Sequence, residues 1–302
     1  MIIDFRVRPP LPAYRDSYAF TIWQVPTPPY HRMWEGRQPV PSSVSGDMNA
    51  FIREMDEAGI DFGVLIARTT KPSPQGREKE MNVSCEDLLD IMKAWPGRFA
   101  GISAVDPLDP AAAEQVEKAA DMGMIGICVE PTRSTECMKL NDPRVFPLYK
   151  SIERAGLLMT TTLGFNTGKN TSWNNTAFVE EISELCPEMP ILITHACWPF
   201  VEELGAVAMR HPNVYLVPDC YLFFPFISTS HEQVMLFNDL LQDQVLFGSS
   251  YPIRGFKQSV EESLALPWTP EAREKFLWKN AARLLHLPVS SACSEAAFSD
   301  CG

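Results

Sequence analysis

Arg6 and Arg8 stand two apart in the opening run Ile3-Asp4-Phe5-Arg6-Val7-Arg8. Residues two apart in an extended chain point the same way, so Asp4, Arg6 and Arg8 are expected on one face and Ile3, Phe5 and Val7 on the other. A guanidinium stays protonated at any workable pH and offers only donors, which makes such a pair a fork for a carboxylate or phosphate. The structural alternative is that Asp4, Glu130 or Asp219 neutralises one or both, because a buried charge needs a partner. Glu130, His195 and Asp219 form a second group. Two carboxylates and an imidazole could hold a divalent ion such as zinc or manganese with open positions. Without a metal, His195 is the general base, with an ordinary pKa of ~6.5 and its tautomer set by a carboxylate.

Candidates for substrate contact are Arg68, Thr162 and Asn166, then Trp198 and Tyr221, and finally Ser250, Tyr251 and Arg254. Ser249-Ser250-Tyr251 lacks the Gly-x-Ser-x-Gly turn of a serine nucleophile, so its members are read as orienting groups. Of the other histidines, His31 is the one that a folded-over loop would bring near the site.

These residues fall after short apolar runs that alternate with amphipathic stretches. The sequence predicts strands at 2–6, 62–67, 99–105, 125–129, 157–162, 191–194, 214–217 and 245–248. Helices are predicted at 47–58, 78–95, 110–122, 143–155, 176–186, 199–210, 231–241 and 257–265, with a last amphipathic stretch over 271–287. Gly and Pro supply the punctuation. Eight strand-then-helix units with continuously apolar strands predict an α/β fold, a single-domain (β/α)8 TIM barrel over 1–288, with a tail at 289–302. A doubly wound sheet would show a Gly-rich turn after the first strand, where Arg8-Pro9-Pro10 stands instead. The loop from Pro9 to Pro41 interleaves Tyr14, Tyr18, Phe20, Trp23, Tyr30 and Trp34 with prolines. Its length predicts a lid over the site or a subunit interface in a homo-oligomer.

Composition narrows the function classes. The 302 residues carry a net charge of −12, with a pI near 4.9 and no basic stripe, which argues against a nucleic-acid partner. No apolar run is long enough to span a membrane, and no secretory signal opens the chain, so a cytoplasmic protein is expected. The eight cysteines show neither Cys-x-x-Cys pairs nor zinc-site spacing; most are read as reduced, Cys128, Cys186 and Cys220 as small buried hydrophobes, and Cys293 and Cys301 as part of the tail.

Four segments together carry a resemblance: Ile3-Asp4-Phe5-Arg6-Val7-Arg8, Ile193-Thr194-His195-Ala196-Cys197, Leu246-Phe247-Gly248-Ser249-Ser250-Tyr251-Pro252 and Lys279-Asn280-Ala281-Ala282-Arg283-Leu284-Leu285. In order and spacing they resemble the amidohydrolase-2 family, the branch of the amidohydrolase superfamily that includes aminocarboxymuconate-semialdehyde decarboxylase-like enzymes and dicarboxylate lactonases. The resemblance implies a barrel enzyme acting on a small carboxylate-bearing substrate by hydrolysis of a lactone, ester or amide. Non-oxidative decarboxylation or hydration of a ring acid is the alternative, and a catalytically inactive barrel kept for ligand binding or assembly is another. Family members usually present His-x-His on the first strand, a His on the fifth, a His on the sixth and an Asp on the eighth. Here those positions hold Arg6 and Arg8, about Thr162, His195 and Ser250. The resemblance therefore implies no metal at the family site, leaving the relocated Glu130, His195 and Asp219 set as the only route to zinc or manganese.

Overall fold

A computed structural model describes residues 1–21, 39–70, 81–134, 136–165, 167–224 and 227–287. Seven parallel strands pair in chain order: β1 (Ile3–Val7), β2 (Phe62–Ile66), β5 (Phe99–Ala104), β6 (Gly126–Cys128), β7 (Leu158–Thr162), β8 (Ile191–Thr194) and β9 (Val214–Val217). A short antiparallel pair, β3 (Thr69–Thr70) with β4 (Met81–Asn82), follows β2. Helices lie between the strands, as the unbroken burial of most of them requires.

The predicted eighth strand, 245–248, is an extended closing segment and not a ladder. It reaches β9 through Leu216 N–H to Gln244 O (2.8 Å) and Leu246 N–H to Leu216 O (2.9 Å), and reaches β1 through Phe5 N–H to Phe247 O (2.8 Å). Isolated bridges Leu216–Val245 and Val7–Tyr251 complete the closure. Gly248 explains how tightly the segment fits: a Cβ there would meet Val217 Cγ1 at 2.9 Å and Arg6 Cβ at 3.1 Å. The result is a nearly closed TIM barrel in one domain.

The opening strand corrects the expected alternation. Asp4 pairs with Gly63 and Val7 with Leu65, so β1 spends three steps where β2 spends two. This bulge turns successive residues inward. Ile3 and Phe5 pack with Val64, Ile66, Leu158, Leu192, Val217 and Leu246 inside the barrel, while Arg6 and Arg8 line a cavity with Ile66. Val7 packs with Leu65 in the layer beneath the helices. Asp4 therefore does not share the arginines' face. Its Oδ1 accepts the Arg6 N–H at 3.0 Å and the Ser249 N–H at 2.9 Å, satisfying the donors that the bulge takes from the ladder.

Most predicted helices lie within a few residues of their observed bounds. Met48–Glu57 starts on Asp47, whose side chain accepts the Asn49 N–H. The exception is 78–95, which begins only at Cys85 and ends at Ala94. Ser84 and Asp87 exchange side-chain and backbone bonds there in a capping box, which fixes the start of the helix at that point, and Met81–Asn82 belongs to β4.

The loop after β1 is partly built into the rim and not structureless. It contains short helical turns at Pro12–Tyr14, Tyr18–Thr21 and Pro41–Ser45. Tyr14 is buried, donates to the Ile66 carbonyl and stacks on Phe20 at 5.7 Å. Trp23, Tyr30, His31 and Trp34 lie outside the described residues, as does the tail at 289–302. Among the described residues no helix is long and apolar enough to cross a membrane.

Candidate functional site

The carboxyl ends of the strands supply the site in pairs two residues apart. Arg6 and Arg8, Ile66 and Arg68, Cys128 and Glu130, and Thr160 and Thr162, with Thr194, line a small, partly open cavity. Sequence reading had placed Arg6, Arg8, Arg68, Glu130 and Thr162 at the strand ends. It missed Ile66, Cys128 and Thr160, which the period of two identifies as the residues one step deeper on the same face.

Among the described residues the charges fall into an Arg6–Asp219–His195 cluster, a cluster of two arginines on Glu130, and the Arg8 guanidinium, which stands outside both. In the first cluster Arg6 Nη1 donates to Asp219 Oδ2 and lies 3.2 Å from Ser250 Oγ and 3.0 Å from His195 Nδ1. Asp219 Oδ1 is also 3.0 Å from His195 Nδ1. Burial alone would raise the Asp219 carboxyl, but His195 and Arg6 hold it well below the usual carboxylate range. Burial lowers the His195 imidazole, Asp219 offsets only part of that and Arg6 adds to it, so that it comes to about 4. His195 is thus neutral at neutral pH and a weaker base than its ordinary pKa suggests.

In the second cluster Glu130 takes Arg68 Nη2 at 3.2 Å, Arg133 Nε at 3.1 Å and the Thr162 hydroxyl at 2.5 Å. Burial would raise its carboxyl, yet Arg68, Arg133 and the Thr162 bond bring it to about 2. Arg133 is a member that the strand-end reading missed, because it sits on the short turn Pro131–Arg133 beyond β6.

Arg8 is the remainder. It is 5% exposed, and among the described residues Nη1 donates to the carbonyls of Ser250 (3.4 Å) and Tyr251 (3.3 Å). Among the described residues it has no ion-pair partner. Burial, then Arg6 and Arg68, lower its pKa to about 9.

The backbone around these groups is strained. His195, Ala196, Cys197, Asp219 and Ser250 adopt φ of 65°, 44°, 58°, 48° and 60°, a region that residues with side chains rarely enter and that costs about 1–3 kcal/mol each. Such strain concentrates where side chains must be aimed.

Other predicted residues fall on either side of the site's edge. Tyr221 packs edge-on against the His195 ring at 4.5 Å, and Trp198 stacks on Tyr221 at 5.5 Å, an aromatic cluster beside His195 that is not part of the cavity lining. Tyr251 is instead a core residue. Its ring stacks on Phe256 at 4.4 Å and its hydroxyl pairs with Ser42 Oγ at 2.5 Å, since Pro252 and the Val7 bridge swing it into the layer under the helices. Arg254 is engaged by Glu262 and by the Phe224 ring at 5.2 Å. Asn166 lies outside the described residues.

The relocated metal set is not assembled: Glu130 is held by Arg68 and Arg133 and does not join His195 and Asp219 in a donor group. Among the described residues, the buried ligand group at the site is His195, Asp219 and Cys220, with donor atoms within 4.8 Å of one another. Cys220 had been read only as a buried hydrophobe. The group does not fit a divalent ion, since the Arg6 guanidinium already sits on its carboxylate and imidazole and like charges at such separations repel strongly.

The fold and site together define a TIM barrel whose polar groups cluster at the strand ends. The amidohydrolase family model matches residues 40–287, and the chain belongs to that family, whose members are enzymes. The matched range begins after β1, the strand that carries the two arginines. An uncharacterized TIM-barrel protein from Bordetella bronchiseptica is similar over 94% of this chain and 98% of its own, with 30% identity and a TM-score of 0.82. A probable 2-pyrone-4,6-dicarboxylic acid hydrolase from Acinetobacter baumannii, with citric acid bound, has 12% identity over 94% and 99% of the two chains and a TM-score of 0.65. A 5-carboxyvanillate decarboxylase from Novosphingobium aromaticivorans, with bound manganese and 3-methoxy-4-hydroxy-5-nitrobenzoic acid, has 15% identity over 95% and 97% and a TM-score of 0.66. Among curated proteins none matches.

Proposed function

We propose that the chain is an enzyme that binds a small carboxylate against Arg8 and hydrolyses a lactone, ester or amide bond beside it. The observation that carries this reading is the buried Arg8 guanidinium, which faces the cavity without a counter-charge among the described residues. An unpaired buried ion costs several kcal/mol, and an anionic ligand is the natural way to offset it. Neighbours with citric acid and a nitrobenzoic acid bound support a carboxylic acid as the ligand class.

The sequence had assigned the anion to Arg6 and Arg8 together. With Arg6 engaged by Asp219, the binding role falls to Arg8, with Arg68, after the neighbouring strand, also lining the cavity. Asp219 accepts from His195 Nδ1–H in the tautomer that leaves Nε2 to take a proton from an attacking water. Arg6 Nη2, whose contact with Nε2 is long at 3.5 Å, has donor capacity for the oxygen that becomes negative.

Loss of carbon dioxide from a ring acid is a second reading. The aromatic cluster of Trp198 and Tyr221 beside His195 suits a ring, and several similar barrels are decarboxylases. Incubation with carboxylated lactones, esters and amides alongside ring acids, scored for proton release and for carbon dioxide, separates the two. If the intact protein binds none of these acids more tightly than Arg8→Met does, the carboxylate reading fails. If His195→Ala and Asp219→Ala leave every turnover unchanged, the barrel is a binding protein and not an enzyme.

A further inference from the structure

One nitrogen, Arg6 Nη1, is the meeting point of three chain segments. His195 Nδ1 reaches it from the end of β8, Asp219 Oδ2 from the end of β9 and Ser250 Oγ from the closing segment. Cys220, next to Asp219, brings a buried thiol into the same group. An imidazole, a carboxylate and a thiol gathered within 4.8 Å are the donors that zinc or cobalt selects, yet here a positive side chain sits on the imidazole and the carboxylate. The bulge in β1 and the strained backbone at His195, Asp219 and Ser250 hold them there.

We infer that Arg6 is the resident cation of this centre, and that removing its charge opens a divalent-metal site on His195, Asp219 and Cys220. The guanidinium supplies the positive charge that keeps Asp219 ionised in a dry interior and excludes a second cation. Truncation at residue 6 leaves a buried carboxylate without its partner and a space beside it, two conditions that favour a metal ion. Arg8 has no part in this inference, so it stands or falls separately from the carboxylate reading.

The test uses the intact protein, Arg6→Ala and Arg6→Gln, each freed of metal by chelator and titrated with Zn²⁺ and Co²⁺. Metal content after gel filtration, Tm and the cobalt spectrum are read. The intact protein is expected to retain no stoichiometric metal and to keep its Tm. Both variants are expected to melt lower without metal, to take up an equivalent of either ion and to recover Tm. Their cobalt complexes should show a thiolate charge-transfer band that Cys220→Ser removes in the Arg6→Ala background. Variants that fold only with Zn²⁺ present support the inference equally. A stoichiometric ion held by the intact protein overturns it, as do folded variants that bind no metal or variants that stay unfolded with Zn²⁺.

Discussion

Asp219 grips His195 twice: Oδ1 lies 3.0 Å from Nδ1, and Oδ2 accepts the His195 backbone N–H at 3.1 Å. Both residues have left-handed φ, so one carboxylate fixes the tautomer of the ring and pins the turn that presents it. The same Oδ2 meets Arg6, which makes Asp219 the centre of a three-residue unit and not a lone catalytic acid.

Asp219→Asn therefore destabilises the fold by about 3–5 kcal/mol, the scale for removing one partner of a buried ion pair. Urea unfolding checks this. Arg6→Met in the same chain is expected to recover part of the loss, because the stranded guanidinium goes with it.

Arg8→Met has the opposite sign. The unpaired buried charge disappears, so stability rises on the order of 1 kcal/mol or more. Carboxylate affinity falls by about 1.5–3 kcal/mol, roughly ten- to hundredfold. Thermal unfolding and calorimetric titration with small dicarboxylates measure the two effects in one sample.

The pH dependence of stability is set by two buried carboxyls of opposite sense. Burial raises Asp4 from 3.8 to about 6, so between those values the native state holds more protons. Its contribution is present below 3.8 and is lost as pH rises through 6. Glu130 is lowered from 4.5 to about 2, so its contribution is present above 4.5 and is lost as pH falls through 2. Each window amounts to roughly 3 kcal/mol. Unfolding free energies measured from pH 2 to 7 should lose the slope between 4 and 6 in Asp4→Asn and the acid limb in Glu130→Gln. Unchanged profiles would remove these two groups from the account.

Tyr251→Phe loses the bond to Ser42 Oγ and about 1 kcal/mol of stability, while carboxylate affinity stays as it was. An altered affinity would return Tyr251 to the substrate-orienting role that its position in the sequence suggested.

Strand and helix order was legible because continuous apolar runs and Gly or Pro stops are local signals. The runs 191–194 and 214–217 coincide with β8 and β9. The bulge at Phe5 and Arg6 was not legible, since Asp4 to Arg8 alternate as an even strand would and only the partner's register shows the extra step. The capping box at Ser84 and Asp87 was present in the sequence, but a longer amphipathic stretch overrode it. In the site, residue types told which groups were ionisable and not which would pair. Nothing local distinguishes Arg8 from Arg6, because Asp219, more than two hundred residues away, decides between them.

The closing segment makes the barrel a ring with one weak stitch. Elsewhere each strand is sewn to its neighbour by a paired ladder, broken at the β1 bulge, but between β9 and β1 a few bonds carry the whole joint. Thermal breathing should concentrate at that seam, and Arg8 straddles it through the carbonyls of Ser250 and Tyr251. An acid anchored on Arg8 then acts as a clasp, so amide exchange at 245–251 slows on binding while the opposite wall of the ring keeps its pace.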